Sequence, residues 1–438
     1  MKRRLFVTAG IVAVAATSAV PAWAGPSTGP TYTKPVVLSD GLGGGEPSIA
    51  IDQKAPQHVY VSAPQSIPAA GNALLGGTNT NGVGFWSSSD GGQTFAKGIN
   101  VGSTTGGGDS DVAVGSDGSV YVADLEAVAA DICKSTDHGK TFTSGNALSP
   151  ADSCTTITTN QNGPEDDRPW LSTTSDGNVY LTYHDFAGGM PIVERSTDGG
   201  STFAPCGAIF DPAGPAAANY NPAQGTIVAK PAIGADNSMY VEVTEPVNTS
   251  QTPVGAPLSN LYMAVAQGGC SGSTVFKNYT IFDGSAAGAN LGKIFNAVTV
   301  DAGGYLYAVA AGTLTSSQTD NNVYLFVSKD HGATWSKPIT VNRPDTKANV
   351  MPALVGGLQA GQVAIGWFGC TANGDPNQCT KWDYYATQST DAGQTFTTPV
   401  DLTGDIHNAN ICTVGVYCGT PADGNNGNGN RNLADFAS

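Results

Sequence analysis

Several side chains in this sequence have the types and spacing to do chemistry together. Acids come in close sets: Asp109 with Asp111, Glu165 with Asp166 and Asp167, and Glu242 with Glu245. Two carboxyls in unlike surroundings hold different pKa values, so one can donate a proton while the other stays charged. Asp166 or Asp167 with Glu242 would make such a pair. Beyond residue 24 there are only four arginines, Arg168, Arg195, Arg343 and Arg431. The planar guanidinium fork of arginine suits the recognition of a carboxylate. Trp367 and Phe368 adjoin each other and would give a sugar ring a stacking platform. Asp109, Asp111, Asp166 and Asp167 also lie in oxygen-rich loops. A metal held there would be calcium, which takes about six to eight oxygen ligands. No other cofactor is implied.

These residues must be brought together by something, and the chain advertises a repeat. The octamer Ser-x-Asp-x-Gly-x-Thr-(Phe/Trp) occurs at Ser88 to Phe95, Ser135 to Phe142, Ser196 to Phe203, Ser328 to Trp335 and Ser389 to Phe396. Its aspartates, Asp90, Asp137, Asp198, Asp330 and Asp391, are 47, 61, 132 and 61 residues apart. The long interval predicts a decayed copy, for which Gln267 to Phe276 is the candidate. An Asp or Ser ahead of glycine can fold back onto nearby backbone N–H groups, so each octamer reads as a structural turn. Ahead of each octamer lies a strand, a tight turn and another strand, with Asp117-Gly118 and Asp176-Gly177 at hairpin positions. Four short strands per repeat describe an all-β propeller.

Six such blades are complete. Tyr32 to Leu38 reads as an outer strand without its own blade, and Arg431 to Phe436 as the opening of an inner strand. The expectation is a partial seventh blade, the alternative a six-bladed ring capped by both ends. If the strands of each blade are lettered A to D from the axis outward, the octamers fall on one face. The loops before A and after B fall on the other, where all the chemical residues named above except Arg195, in a strand C, also lie. One propeller domain is expected over residues 25–438.

The octamer and the propeller together resemble the sialidase-like superfamily, whose repeats are called Asp-box or BNR repeats. Membership would imply a glycan ligand and, in an active member, exo-α-sialidase chemistry with retention. Three arginines would clamp the sugar carboxylate, a Tyr-Glu pair would supply the nucleophile and an Asp the acid/base. Arg168, Arg343 and Arg431 are the arginines on the loop face. Tyr183 with Glu242 or Glu245 would be the nucleophile pair, and Asp109, Asp111 or Asp166 the acid. The pattern departs at the first blade, where Gly45-Glu46-Pro47-Ser48 holds no arginine. Binding of glycan without catalysis, and a purely structural or protein-binding propeller, are the competing classes.

The remaining features concern compartment. Lys2, Arg3 and Arg4 precede an apolar stretch from Leu5 to Val20 and Ala22-Trp23-Ala24, which predicts a signal peptide over residues 1–24. Arg3-Arg4-Leu5-Phe6 loosely matches a twin-arginine leader, an alternative to ordinary export. Without the leader, 16 basic residues face 35 acidic ones, a net charge of −19. That charge repels nucleic acid and anionic membranes, and a free-standing secreted monomer is expected. Eight cysteines in an exported chain suggest disulfides. Spacing favours Cys133–Cys154, Cys370–Cys379 and Cys412–Cys418, leaving Cys206–Cys270 by elimination.

Overall fold

In a computed structural model, the structure describes residues 5–7, 32–38, 45–65, 82–102, 107–126, 129–142, 154–157, 166–185, 190–219, 227–246, 257–414, 418–421, 424–430 and Leu433. A short antiparallel pair, β1 (Leu5–Val7) and β2 (Val36–Leu38), precedes six sheets. Blade one holds β3 (Ser48–Ile51), β4 (Val59–Ala63), β5 (Val83–Ser88) and β6 (Ile99–Val101). Blade two holds β7 (Ser110–Val114), β8 (Val120–Glu126), β9 (Ala129–Ser135) and β10 (Cys154–Ile157). Blade three holds β11 (Asp166–Thr173), β12 (Val179–Asp185), β13 (Met190–Ser196) and β14 (Ala204–Ala208). In blade four the inner strand is split into β15 (Ile227–Val228) and β16 (Ala232–Ile233), followed by β17 (Met239–Pro246), β18 (Leu258–Ala266) and β19 (Lys277–Asp283). Blade five runs through β20 (Ala297–Val300), β21 (Leu306–Gly312), β22 (Asn322–Ser328) and β23 (Ile339–Thr340). Blade six runs through β24 (Ala348–Gly356), β25 (Val363–Cys370), β26 (Asp383–Ser389) and β27 (Val400–Asp401).

All five octamers close the same way, for a reason legible in their residue types. The Ser hydroxyl donates to the Asp carboxylate at 2.8 Å and accepts the amide of the glycine four residues on at 2.8 to 2.9 Å. The Thr amide and hydroxyl then donate to the two carboxylate oxygens, at 2.8 to 2.9 Å and 2.6 to 2.7 Å. Charge-assisted bonds of this kind favour the ionised acid. The Thr94 hydroxyl and amide hold Asp90 down to about 2. Thr141 and Thr395 likewise hold Asp137 and Asp391 below the usual range. At Asp198 and Asp330 burial pushes upward, and the bonds from Thr202 and Thr334 outweigh it. The decayed copy in blade four keeps positive φ at Gly268 and Gly269, and there the Ser238 hydroxyl accepts the Gly268 amide at 3.0 Å.

An apolar layer fills each of the five successive blade boundaries, from Phe85 and Val122 between the first two to Trp367 and Tyr307 between the last two. The two terminal faces are covered by the chain ends. Val36 and Leu38 pack on Val61, Ala63 and Trp86 of blade one, and Ile406, Ile411 and Leu433 pack on Phe368, Trp382 and Tyr384 of blade six. This is the six-bladed alternative, and the partial seventh blade is corrected. Val36–Leu38 pairs with Leu5–Val7 rather than with a third strand of a new blade, and of Arg431 to Phe436 only Leu433, in a turn, lies among the described residues.

All four disulfides form as spacing and elimination suggest: Cys133–Cys154, Cys206–Cys270, Cys370–Cys379 and Cys412–Cys418. Cys206 stands on β14 of blade three and Cys270 in the turn after β18, so this bridge ties two blades together.

Candidate functional site at the axial mouth

Inner strands start, and second strands end, on the face opposite the octamers. On this face the segment Lys293 to Asn296, just ahead of β20, reaches across the axis. The Met351 amide of blade six donates to the Lys293 carbonyl at 2.8 Å, and Asn296 Nδ2 donates to the Thr244 hydroxyl of blade four at 2.7 Å. The ring of Phe295 lies under the Arg168 guanidinium of blade three, 4.5 Å away, and meets Trp170 edge-on at 6.4 Å. Trp170 in turn donates from Nε1 to the Val228 carbonyl at 3.2 Å. A cation over an aromatic face is attracted by the ring quadrupole, and more strongly where water is excluded.

Backbone geometry sharpens the same region. Glu46, Arg168 and Met351 each precede a proline just before or within an inner strand, and each is left-handed, with φ of 51°, 55° and 51°. In β11 and β24 this residue sits where the register with the second strand slips. Such φ values in non-glycine residues cost about 1 to 3 kcal/mol each and persist only where surrounding packing enforces them.

Beneath Asn296 lies Glu242, fully buried, accepting a hydrogen bond from the Thr244 hydroxyl at 2.8 Å. Burial pushes its carboxyl up to about 8, against the opposing pull of Thr244 and Asn296. Burial likewise pushes Glu245 up to about 9. Three residues apart on one strand, the two side chains point to opposite faces of β17. Asn296 lies on the blade-five side with Glu242, so Glu245 faces blade three. They are two separate neutral acids, not one pair. Lys293 is partly accessible, yet burial of its amine pushes the pKa down, with Asp375 opposing.

The other expected residues divide clearly. Tyr183 is 1% exposed and packs between blades two and three, whereas Glu242 packs between blades four and five. The Tyr183–Glu242 pairing is therefore corrected, and the Tyr183–Glu245 pairing with it, since Tyr183 packs on the blade-two side of blade three and Glu245 faces the other side: the Tyr183 hydroxyl donates to Glu194 Oε1 at 3.4 Å. Asp111 is also corrected as an acid. Its buried carboxylate is a fastener for four inner strands, accepting from Ser48 Oγ, the Leu171 amide at 2.6 Å and Lys230 Nζ at 2.7 Å. Asp109 is half-buried at the start of blade two. Asp166 and Asp167 lie on β11 opposite Asp185 and His184, and their side chains fall outside the described residues. Among the described residues, no group of three or more His, Cys, Asp or Glu is placed to hold a metal.

Of the three expected clamp arginines, two are among the described residues, and Arg343 is engaged locally. Arg343 is held by Asp345 through two parallel bonds, at 2.8 and 2.6 Å, with its guanidinium 5.3 Å from the Tyr385 ring. Arg431 lies outside the described residues. Trp367 and Phe368 are 0% and 6% exposed, so the stacking platform is corrected too. Trp367 stacks on Tyr385 inside the last blade boundary, and Phe368 meets Tyr384 edge-on.

Sequence reasoning missed Glu194, Trp170, Thr244, Phe295 and Asn296. Phe295 and Asn296 directly precede an inner strand, so a search by position rather than by charge finds them. Glu194 lies in a third strand and carries no such signal.

No family model matches this sequence, and no curated protein matches it. Solved structures do. An ulvan lyase described as a new polysaccharide lyase family, bound to -[GlcA(1-4)Rha3S]-, has a TM-score of 0.51 at 11% identity, over 82% of this chain and 86% of its own. The same enzyme without that description of a ligand gives 0.50 at 10% identity, over 80% and 82%. A Hadza microbial sialidase gives 0.38 at 13% identity, over 69% and 56%. At these identities the first two show that the chain shares the propeller fold of a glycan-acting enzyme, and the likeness ends at the fold.

Proposed function

We propose that the protein is an exported propeller that binds or cleaves extracellular polysaccharide at the axial mouth. The carrying observation is Glu242, a carboxyl kept protonated at neutral pH beneath the segment that spans blades three, four and six. A neutral acid in a low-dielectric site is what protonation of a leaving sugar oxygen requires. Asn296 and Thr244 set its direction, and Arg168 on the Phe295 ring offers a cation to an acidic sugar. The polysaccharide contact of the ulvan lyase is in keeping with this reading.

The test uses the mature chain and a panel of neutral and acidic polysaccharides. Binding is read by calorimetry, hydrolysis by new reducing ends and elimination by the ultraviolet absorbance of unsaturated uronate. The expected result is binding to at least one acidic polysaccharide, with turnover lost and binding kept in Glu242→Gln. Failure to bind any member of the panel refutes the reading. The burial of Glu242 and the engagement of Arg343 by Asp345 favour a second reading, binding without cleavage. In that case the same titration shows affinity and neither product. Export is tested by recovering the chain from culture medium and sequencing its N-terminus, which should be Gly25.

A further inference from the structure

His58 and His138 lie on the octamer face, one on each side of the boundary between the first two blades. Their rings are parallel within 8°, with centroids 4.2 Å apart. The Tyr60 hydroxyl is 3.4 Å from His138 Nδ1. His138 has φ of 62° at a position held by Gly91 and Gly199 in the first and third octamers. A left-handed histidine is uncommon, and glycine would fit there without strain. The arrangement recurs in part: His331, with φ of 57°, has its Nδ1 3.3 Å from the Tyr240 hydroxyl. Two residues before Tyr60 stands His58, but two residues before Tyr240 stands Ser238. The tyrosine–histidine unit thus occurs twice, and only one copy has a second imidazole beside it.

We propose that His58 and His138 form a two-imidazole site for a borderline divalent transition ion such as zinc, joining blades one and two. Imidazole nitrogen suits such ions, whereas the octamer carboxylates nearby are already committed to their own turns. Asp137 accepts from Thr141 and Ser135, and Asp52 from the Lys54 and Ala55 amides. Tyr60 supplies the orienting partner. With its proton on Nδ1 and donated to the Tyr60 oxygen, His138 turns the Nε2 lone pair outward, as outer partners of metal-binding histidines do. The change is a tautomer shift and releases no proton. Lone pairs lie in the ring planes, so parallel rings do not converge on one ion, and binding tilts them apart. His138 is exposed and His58 half-buried, which leaves that tilt free. Water completes the coordination shell.

The test is a zinc titration of the mature protein, followed by calorimetry and by the imidazole nitrogen resonances. One saturable site is expected, with His58 and His138 shifted and His331 unmoved. His58→Gln should lose saturable binding, Tyr60→Phe should weaken it about tenfold, and His331→Gln should leave it intact. Melting curves of each variant without metal check that it is folded. No saturable binding by the wild type, equal shifts at His331, or undiminished binding by folded His58→Gln would each overturn the proposal.

Discussion

Replacing Glu242 by glutamine isolates the cost of keeping an acid in the boundary between blades four and five. In the unfolded chain this carboxyl ionises near 4.5, and in the fold burial pushes it up to about 8. Below the unfolded value both states are protonated, and the group's contribution to stability is fully present. As pH rises the unfolded chain loses its proton first, so stability declines until the folded carboxyl also ionises, near 8. Each pH unit in that window is worth about 1.4 kcal/mol, so the wild type at pH 7 gives up about 3 kcal/mol, an upper bound. Glutamine keeps an acceptor for the Thr244 hydroxyl and has no charge to lose. Urea unfolding of both proteins between about pH 4 and pH 9 measures this directly. The two should be nearly equal at the acid end, and the variant should gain steadily up to about 3 kcal/mol at pH 7. A stability difference that does not change with pH would refute the reasoning, because it would mean that the carboxyl already ionises normally in the fold.

Other perturbations have equally definite outcomes. Asp111→Ala leaves Lys230 without its buried partner and should cost about 3 to 5 kcal/mol in chemical denaturation. Asp90→Asn removes a carboxylate whose pKa is depressed to about 2, so its stabilisation exists above the unfolded value and fades as pH falls toward 2. The variant should therefore show a flatter loss of melting temperature on acidification than the wild type. Cys206→Ser with Cys270→Ser opens a 64-residue separation and should lower stability by about 4 kcal/mol under non-reducing conditions. Arg168→Ala should abolish binding of acidic polysaccharide in calorimetry while leaving affinity for zinc unchanged.

The fold was legible because its signals are local and repeated. Ser88, Asp90, Gly92 and Thr94 need only one another to close their turn, and four further copies settle the period. Three of the four disulfides followed from spacing for the same reason. The site was less legible because its contacts join residues far apart in sequence and turn on burial rather than on residue type. Arg343 finds Asp345 two residues away, a local competitor that a search for converging arginines overlooks. Trp367 has the look of a ligand platform in a one-dimensional reading, yet its period in β25 places it against Tyr307 and Tyr385. Glu242 was visible as an acid, but its roof of Phe295 and Asn296 depends on a loop from the next blade. The seventh blade failed as an expectation because Tyr32 to Leu38 matches a blade strand in pattern, while in the fold Val36–Leu38 pairs with Leu5–Val7 and packs on blade one.

The Asp111 fastener bears on how quickly the molecule comes apart. Its bonds reach Ser48, Leu171 and Lys230, 63, 60 and 119 residues away in sequence. Loops that long must be closed before such contacts form, so the fastener belongs to the late, native side of the folding barrier. Interactions absent from the transition state slow unfolding rather than speed folding. A single carboxylate on an inner strand therefore acts as a kinetic lock, lengthening the native lifetime of the whole chain.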